Sequence, residues 1–161
     1  MVGVPGPIDC PTEVAIPAGT AVPPEALGMV VLHNDTVTDE RKVWPWERAQ
    51  AFARSFPAGE LVALGKPGPP LPGAVDLRGR TTLAEAAAVI QSCRCYVGID
   101  SGLMWIAGSL QVPTVGLYTD AYIPNASAVQ PLNSNATYLV QSGSLDGVSE
   151  ERVRVEVVRR C

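Results

Sequence analysis

The sequence predicts an α/β fold in which one doubly wound, Rossmann-like parallel sheet is covered by helices on both faces. Short β-branched runs alternate with helical patterns over most of the chain, which is typical of βαβ units. The 161 residues suit one hydrophobic core, and 47% hydrophobic with 17% charged residues is a globular composition. Because βαβ crossovers are right-handed, we expect the strand order 3-2-1-4-5, with ligands at the carboxyl ends of the strands where the winding reverses.

The first half of the sheet is predicted from three short apolar runs and one helical pattern. Met29–His33 is the first strand candidate, Leu61–Leu64 the second and Ala74–Leu77 the third. Pro45 suits the first turn of a helix between the first two strands. The apolar positions of that helix recur at i, i+3, i+4 and i+7, namely Ala49, Phe52, Ala53 and Phe56.

The second half of the sheet begins with a helix that Thr82 caps, and Glu85 completes a capping box there. Cys95–Ile99 is the fourth strand and Thr114–Tyr118 the fifth. Pro113 ends the helix between these two strands, because proline cannot continue a helix. The apolar side of that helix consists of Leu103, Ile106, Ala107 and Leu110.

The rest of the chain carries weaker signals. Residues 119–146 are polar and rich in turn residues, so we predict loops there. Residues 153–157 have valine at every second position, as a strand would. However, Ser149-Glu150-Glu151 suits the start of a helix and Arg159-Arg160 suits its end. We therefore expect a C-terminal helix.

Composition and termini set the domain boundaries and the expected compartment. Residues 1–28 are rich in Pro, Gly and Ala and are predicted to be an arm or linker, whereas 29–161 form the domain. Residues 1–9 lack the basic start and apolar stretch of a signal peptide, and the longest apolar runs are strand-sized. We expect a cytoplasmic protein without a membrane span.

The charge and the metal-ligating residues exclude several classes of function. The net charge of −4 offers no basic field for nucleic acid, so a phosphate ligand would need a local positive site. The four cysteines show no metal-binding spacing, and a single histidine, His33, rules out a histidine-rich metal cluster. The sequence therefore predicts neither a metal nor a cofactor.

Asp100-Ser101-Gly102 lies between the fourth strand and the helix that follows it. The first amides of a helix lack intrahelical acceptors and carry the positive end of its dipole, so they can bind phosphate. Gly102 would leave them accessible, the Ser101 hydroxyl could donate to a phosphate, and Asp100 could accept from sugar hydroxyls. Simple helix capping by Asp100 or Ser101 is the alternative. Ser101 does not lie in a G-x-S-x-G nucleophile elbow.

The loop after the first strand belongs to the same crevice in the predicted strand order. It holds Lys42 as a candidate local charge, and Thr36 and Thr38 as hydroxyl donors. His33 directly follows the strand and could line the crevice, or it could be a packed histidine. Likewise, Lys42 could be an ordinary solvated lysine.

Three segments resemble one known family, the heptosyltransferases. They are "KVWPWERAQAFA", "GRTTLAEAAAVIQSCRCYVGIDSGLMWIAGSLQVPTVGLY" and the "SEERV" near the end. The resemblance covers roughly residues 29–160 and implies the C-terminal, donor-binding half of a two-domain type-B glycosyltransferase, which takes a sugar from a nucleotide diphosphate sugar in lipopolysaccharide synthesis. It implies donor contacts by Thr36, Lys42, Asp100, Ser101 and Gly102.

The chain also departs from the family pattern. The acceptor domain, which carries the catalytic carboxylate, is missing, and Trp105 stands where the family commonly has histidine in D-S-G-x-x-H. The loop after the second strand has no Glu to hold a ribose. We therefore expect a domain that binds an ADP-heptose-like donor, has no catalytic residues of its own, and needs an acceptor-domain partner for transfer. A non-catalytic interaction module, a homodimer on a relict domain, or a relict without a task are the alternatives.

Overall fold

A computed structural model describes residues 13–36, 39–121 and 130–161. Within these residues, six parallel strands form one sheet with four α-helices on its faces. The strands are β1 (Val30–His33), β2 (Leu61–Leu64), β3 (Val75–Asp76), β4 (Cys95–Ile99), β5 (Thr114–Thr119) and β6 (Ala136–Gln141). The helices are α1 (Trp46–Arg54), α2 (Leu83–Ser92), α3 (Gly102–Ser109) and α4 (Glu150–Arg160).

The strand order is β3-β2-β1-β4-β5-β6, and every pair is parallel. This confirms the predicted α/β class and the 3-2-1-4-5 order. Because β1 lies between β2 and β4, the loops that follow these three strands meet at one edge of the sheet. The winding reverses at β1 and β4, where an open α/β sheet binds its ligands.

One expectation is wrong: residues 119–146 are not loop throughout, because β6 pairs with β5 from Ala136 to Gln141. As an edge strand, β6 is mostly half-buried, with Leu139 buried and Val140 exposed. Its hydrophobic signal is therefore weak beside the turn residues around it. Residues 122–129 of the predicted loop lie outside the described residues.

The core has one layer on each face of the sheet. Helices α1 and α4 contribute Phe52 and Val153 to one layer, and α2 and α3 contribute Ile90 and Met104 to the other. Strands β1, β2, β4 and β5 are buried along their whole length, as expected for a parallel sheet covered on both faces. Trp44 is fully buried, and its indole Nε1 donates to the carbonyl of Val148 over 2.8 Å.

The predicted helix signals are present in the structure. The side chains of Thr82 and Glu85 form the capping box of α2. Helix α4 confirms the C-terminal helix: Val153 and Val157 are buried at i and i+4, whereas Val155 is 39% exposed. The alternating valines thus mark two turns of a helix.

Two terminal segments pack against the amino-terminal edge of the sheet. Ala26 is fully buried, and the Gly28 amide donates to the carbonyl of Ser92 at the end of α2. Cys161 directly follows α4, and its Sγ atom lies 3.9 Å from the carbonyl oxygen of Arg94, just before β4. Residues 1–12 of the predicted arm lie outside the described residues. No described helix is both long enough and apolar enough to span a bilayer.

Candidate functional site

A cavity of about 650 Å³ opens at the carboxyl ends of β1, β2 and β4, between the first turns of α2 and α3. Its volume lies within the usual range of small-ligand pockets. Seven of the eight residues singled out in the sequence line it: His33, Thr36, Lys42, Asp100, Ser101, Gly102 and Trp105. Thr38 lies outside the described residues.

Lys42 and Asp100 form an ion pair in the cavity wall. Lys42 ends a short 3-10 helix, Glu40–Lys42, and its Nζ atom lies 2.7 Å from Oδ2 of Asp100. The two side chains are only 10% and 16% exposed. Lys42 is therefore no solvated surface lysine, and its charge is balanced by a carboxylate within the cavity.

The first turn of α3 forms a second part of the wall. Ser101 is the N-cap, and its Oγ atom accepts from the Met104 amide over 3.3 Å. The capping alternative is thus realised, but it leaves the helix end accessible. A Cβ atom at Gly102 would have no neighbour within 4 Å. Gly102 and Leu103 both line the cavity, and as the first two residues of α3 their amides have no acceptor within the helix.

A chain of hydrogen bonds runs from Ser101 to the loop after β1. Ser101 Oγ lies 3.2 Å from His33 Nδ1, and His33 Nε2 lies 3.1 Å from Asp35 Oδ1. The other carboxylate oxygen of Asp35 accepts from the Lys66 amide. Partial burial works to raise the pKa of Asp35, but the hydrogen bonds from His33 and Lys66 outweigh it and hold that pKa below its ordinary value.

Gly65 makes this chain of contacts possible. Its φ of +113° lies where side chains are strained, and a Cβ atom there would overlap the Asp35 carboxylate and lie 2.8 Å from the His33 ring. The glycine that closes β2 therefore lets both side chains pack against its backbone.

Two tyrosines next to the site stay uncharged. Burial raises the pKa of Tyr96, and the neighbouring Ser101 hydroxyl offsets only part of this increase. Burial also raises the pKa of Tyr118, and the Asp100 carboxylate adds to that effect. Neither phenol supplies charge to the cavity.

Several lining residues were not predicted from the sequence. Asp35 and Lys66 are charged and follow β1 and β2, while Thr81, Thr82 and Leu83 come from the start of α2. The neighbouring positions of β1 and β2 in the predicted order could have indicated Lys66, since its loop ends at the same edge. Leu83 and Trp105 form an apolar rim, with 67% and 40% of their surfaces exposed.

The described residues hold no group of three or more potential metal ligands among His, Cys, Asp and Glu. What the cavity combines is different: backbone amides, hydroxyls, two lysines and an apolar rim. Amides and ammonium groups suit an anionic group. The rim suits a flat or apolar portion of the same ligand.

Comparisons with known proteins agree with this fold. The family model of glycosyltransferase family 9 (heptosyltransferase) matches residues 58–152, more than half of the chain. Lipooligosaccharide heptosyltransferase 2 of Haemophilus influenzae is 34% identical over 90 residues, which cover 54% of this chain and 24% of that protein.

Two solved structures from Escherichia coli share the fold. ADP-heptose lipopolysaccharide heptosyltransferase II superposes with a TM-score of 0.69 and 22% identity, covering 83% of this chain and 46% of that one. Heptosyltransferase WaaC, solved with ADP, superposes with a TM-score of 0.71 and 18% identity. The match covers 88% of this chain and 47% of that one. The chain thus spans about half the length of these structures and corresponds to the C-terminal half of their two-domain fold.

Proposed function

The chain belongs to glycosyltransferase family 9, the heptosyltransferase family, and on that premise we propose that its cavity binds a nucleoside diphosphate sugar. One observation carries the proposal: the accessible first turn of α3 and the ammonium group of Lys42 lie in the same cavity. Both features matter because the net charge of the chain is −4, so a diphosphate must be held by local positive groups. The relative from E. coli solved with ADP supports this assignment.

Each wall of the cavity has a role in this proposal. The Gly102 and Leu103 amides and the Ser101 hydroxyl donate to the diphosphate, together with Thr36 and the ammonium groups of Lys42 and Lys66. Asp100 accepts from sugar hydroxyls while it holds Lys42 in place. The rim formed by Leu83 and Trp105 contacts the base or the sugar ring.

These groups also suit sugar transfer. When the glycosidic bond breaks, negative charge grows on the departing diphosphate, and amides and ammonium groups fixed around it lower the barrier. An acceptor and a general base must come from elsewhere. Because the relatives are about twice as long, we assign those roles to a further domain or a partner chain, and transfer by the described domain alone is not expected.

Titration calorimetry with ADP and ADP-glucose tests the proposal, and we expect saturable binding of both. Gly102→Ala and Gly102→Val form a graded series. Neither side chain overlaps the protein at Cβ, and alanine favours a helix, so Gly102→Ala is expected to keep or raise the melting temperature. Both substitutions should weaken binding, valine more than alanine, because they obstruct the amides.

A second readout uses the rim. Trp105 fluorescence should change on ADP-glucose binding, and Trp105→Phe, which keeps Trp44 and Trp46, should lose that signal. Unchanged affinity in both Gly102 variants would remove α3 from the site. No nucleotide binding, combined with a dimer in sedimentation, would instead favour an interaction module.

A further inference from the structure

We propose that Asp35 and His33 act as positioning residues for the Ser101 hydroxyl, so that the cavity takes up one proton at His33 when it binds a diphosphate. This inference rests on the proposed function and adds proton-linked control of the same site. It starts from the hydrogen-bonded chain Asp35–His33–Ser101 in the cavity wall.

The Asp35 carboxylate fixes which ring nitrogen of His33 carries a hydrogen. Asp35 is an acceptor only, so the Nε2 atom 3.1 Å away must donate to it. In the neutral ring Nδ1 is then an acceptor, and the only donor offered by Ser101 Oγ, 3.2 Å away, is its own hydroxyl proton. The side chains of His33 and Asp35 are 5% and 19% exposed, so water competes little for these bonds.

The neutral state leaves Ser101 unsuited to an anion. Its hydroxyl proton points at His33, and its oxygen also accepts from the Met104 amide. A phosphate oxygen approaching Ser101 would therefore meet lone pairs and be repelled. Once His33 gains a second proton, Nδ1 donates to Ser101 Oγ, and the hydroxyl proton is free to turn toward the phosphate.

The charges of the cavity favour the same event. Among the described lining residues, Lys42 and Lys66 are balanced by Asp35 and Asp100. A diphosphate diester brings two negative charges into this neutral set. Protonation of His33 gives the cavity a positive charge, so ligand and proton stabilise each other.

The groups around the ring come from each neighbouring element. Asp35 faces Nε2 from the loop after β1, the Gly65 backbone and Lys66 follow β2, and Ser101 faces Nδ1 from α3. Lys42 and Asp100 line the same cavity, and the buried Tyr96 next to Ser101 stays uncharged. The charges of Lys42, Lys66, Asp35 and Asp100 sum to zero, so a proton gained at His33 would set the net charge of this set.

The sign of the pH dependence follows. Binding that takes up a proton is strongest at low pH and weakens as pH rises through the neutral range. With one linked proton, the dissociation constant should increase by at most about tenfold per pH unit. ADP-glucose is a suitable probe because its diphosphate is esterified at both ends and does not itself titrate there.

The test is calorimetry of ADP-glucose binding near neutral pH in two buffers of different ionisation enthalpy. We expect uptake of up to one proton per ligand in the wild-type chain. His33→Gln keeps a polar side chain but should bind more weakly, with no proton uptake and a flat pH profile. Cys161→Ser is the matched control, since it removes a thiol of pKa about 7 at the opposite edge of the sheet; proton uptake should persist.

Two further variants separate positioning from a merely structural role. Asp35→Asn removes the obligate acceptor of the Nε2 hydrogen, so proton uptake should fall even if the melting temperature is kept. Ser101→Ala should bind with reduced affinity and without uptake. Independently of any ligand, the ring nitrogen shifts of His33 should report the Nε2–H form at high pH.

The outcomes are distinguishable. Saturable binding without proton uptake, uptake that survives in His33→Gln, or an Nδ1–H ring would overturn this inference and leave the proposed function intact. Absence of nucleotide binding at every pH would overturn the proposed function, and this inference with it.

Discussion

Lys42 and Asp100 are 58 positions apart in the chain, yet Nζ of the lysine lies 2.7 Å from Oδ2 of the aspartate in the wall of one cavity. The contact joins the segment after β1 to the start of α3. It balances the charge of Lys42, and for that reason the proposed binding mode also uses helix amides and a second lysine to hold the anion.

A double-mutant cycle measures the Lys42–Asp100 pair. Lys42→Met leaves a mostly buried carboxylate unpaired, and we expect a loss of about 1–3 kcal/mol in the free energy of unfolding. Lys42→Met combined with Asp100→Asn removes both charges and should lose less than the sum of the single changes. Urea unfolding is the measurement, and strictly additive losses would show that the two side chains do not interact.

Gly65→Ala should disrupt the contacts of Asp35 and His33. The new methyl group meets a strained φ and overlaps both side chains. Gly59→Ala is the matched control: its φ of +83° brings similar strain, but a Cβ atom there has no neighbour within 4 Å. We expect Gly59→Ala to cost about 1 kcal/mol and Gly65→Ala clearly more. Equal melting temperatures for the two variants would contradict this.

Asp35 gives the folding stability an acid-sensitive component. Its pKa is lowered in the folded chain, because hydrogen bonds from His33 and Lys66 outweigh the effect of burial. The stabilisation is therefore fully present above the unfolded pKa of about 3.9 and is lost as pH falls through the lower folded value. The stability advantage of the wild type over Asp35→Asn should be present at neutral pH and shrink in acid. Urea titrations across that range would refute the prediction if the difference did not change.

Cys161 should be the most rapidly alkylated of the three described cysteines. A hydrogen bond from Cys95 lowers the pKa of the Cys161 thiol to about 7. Partial burial works to raise that pKa, and the positive charge of Arg94 works to lower it. Burial instead raises the pKa of Cys93 to about 12. The rate of iodoacetamide modification at Cys161, followed by peptide mapping, should rise with a midpoint near pH 7.

The controls for Cys161 lie in the same cluster. Cys95→Ala removes the S–H donor and should move the midpoint toward that of an ordinary thiol. Cys93→Ala removes a neighbouring thiol that does not lower the Cys161 pKa, so it should leave the midpoint in place. The same shift in both variants would argue against a hydrogen bond from Cys95.

The strands and helices with buried faces were predictable from the sequence. The runs around Val31, Val62 and Val97 lie in strands that are buried on both faces. Nearly every residue of such a strand is apolar or small, so the run stands out in the sequence. Strand β6 was not predictable in the same way, because its partial exposure leaves Tyr138 and Val140 among polar neighbours. Burial against other elements, rather than local propensity, decides such an edge strand.

The site was predictable where it depends on strand order and not where it depends on side-chain direction. The placement of Asp100 and Lys42 follows from the adjacency of β1 and β4. The pairing of their charges does not, since it requires the path of the chain through the short Glu40–Lys42 helix. Asp35 was missed for a related reason: its contact with His33 exists because Gly65 leaves room on the next strand.

The cysteine cluster and the cavity occupy opposite ends of β4. Cys95 begins that strand and Asp100 follows it, which separates them by roughly 15 Å. A fluorophore or a surface tether could therefore be coupled to Cys161 without obstructing the cavity mouth. Immobilised in this orientation, the domain presents its carboxyl-terminal sheet edge to solution.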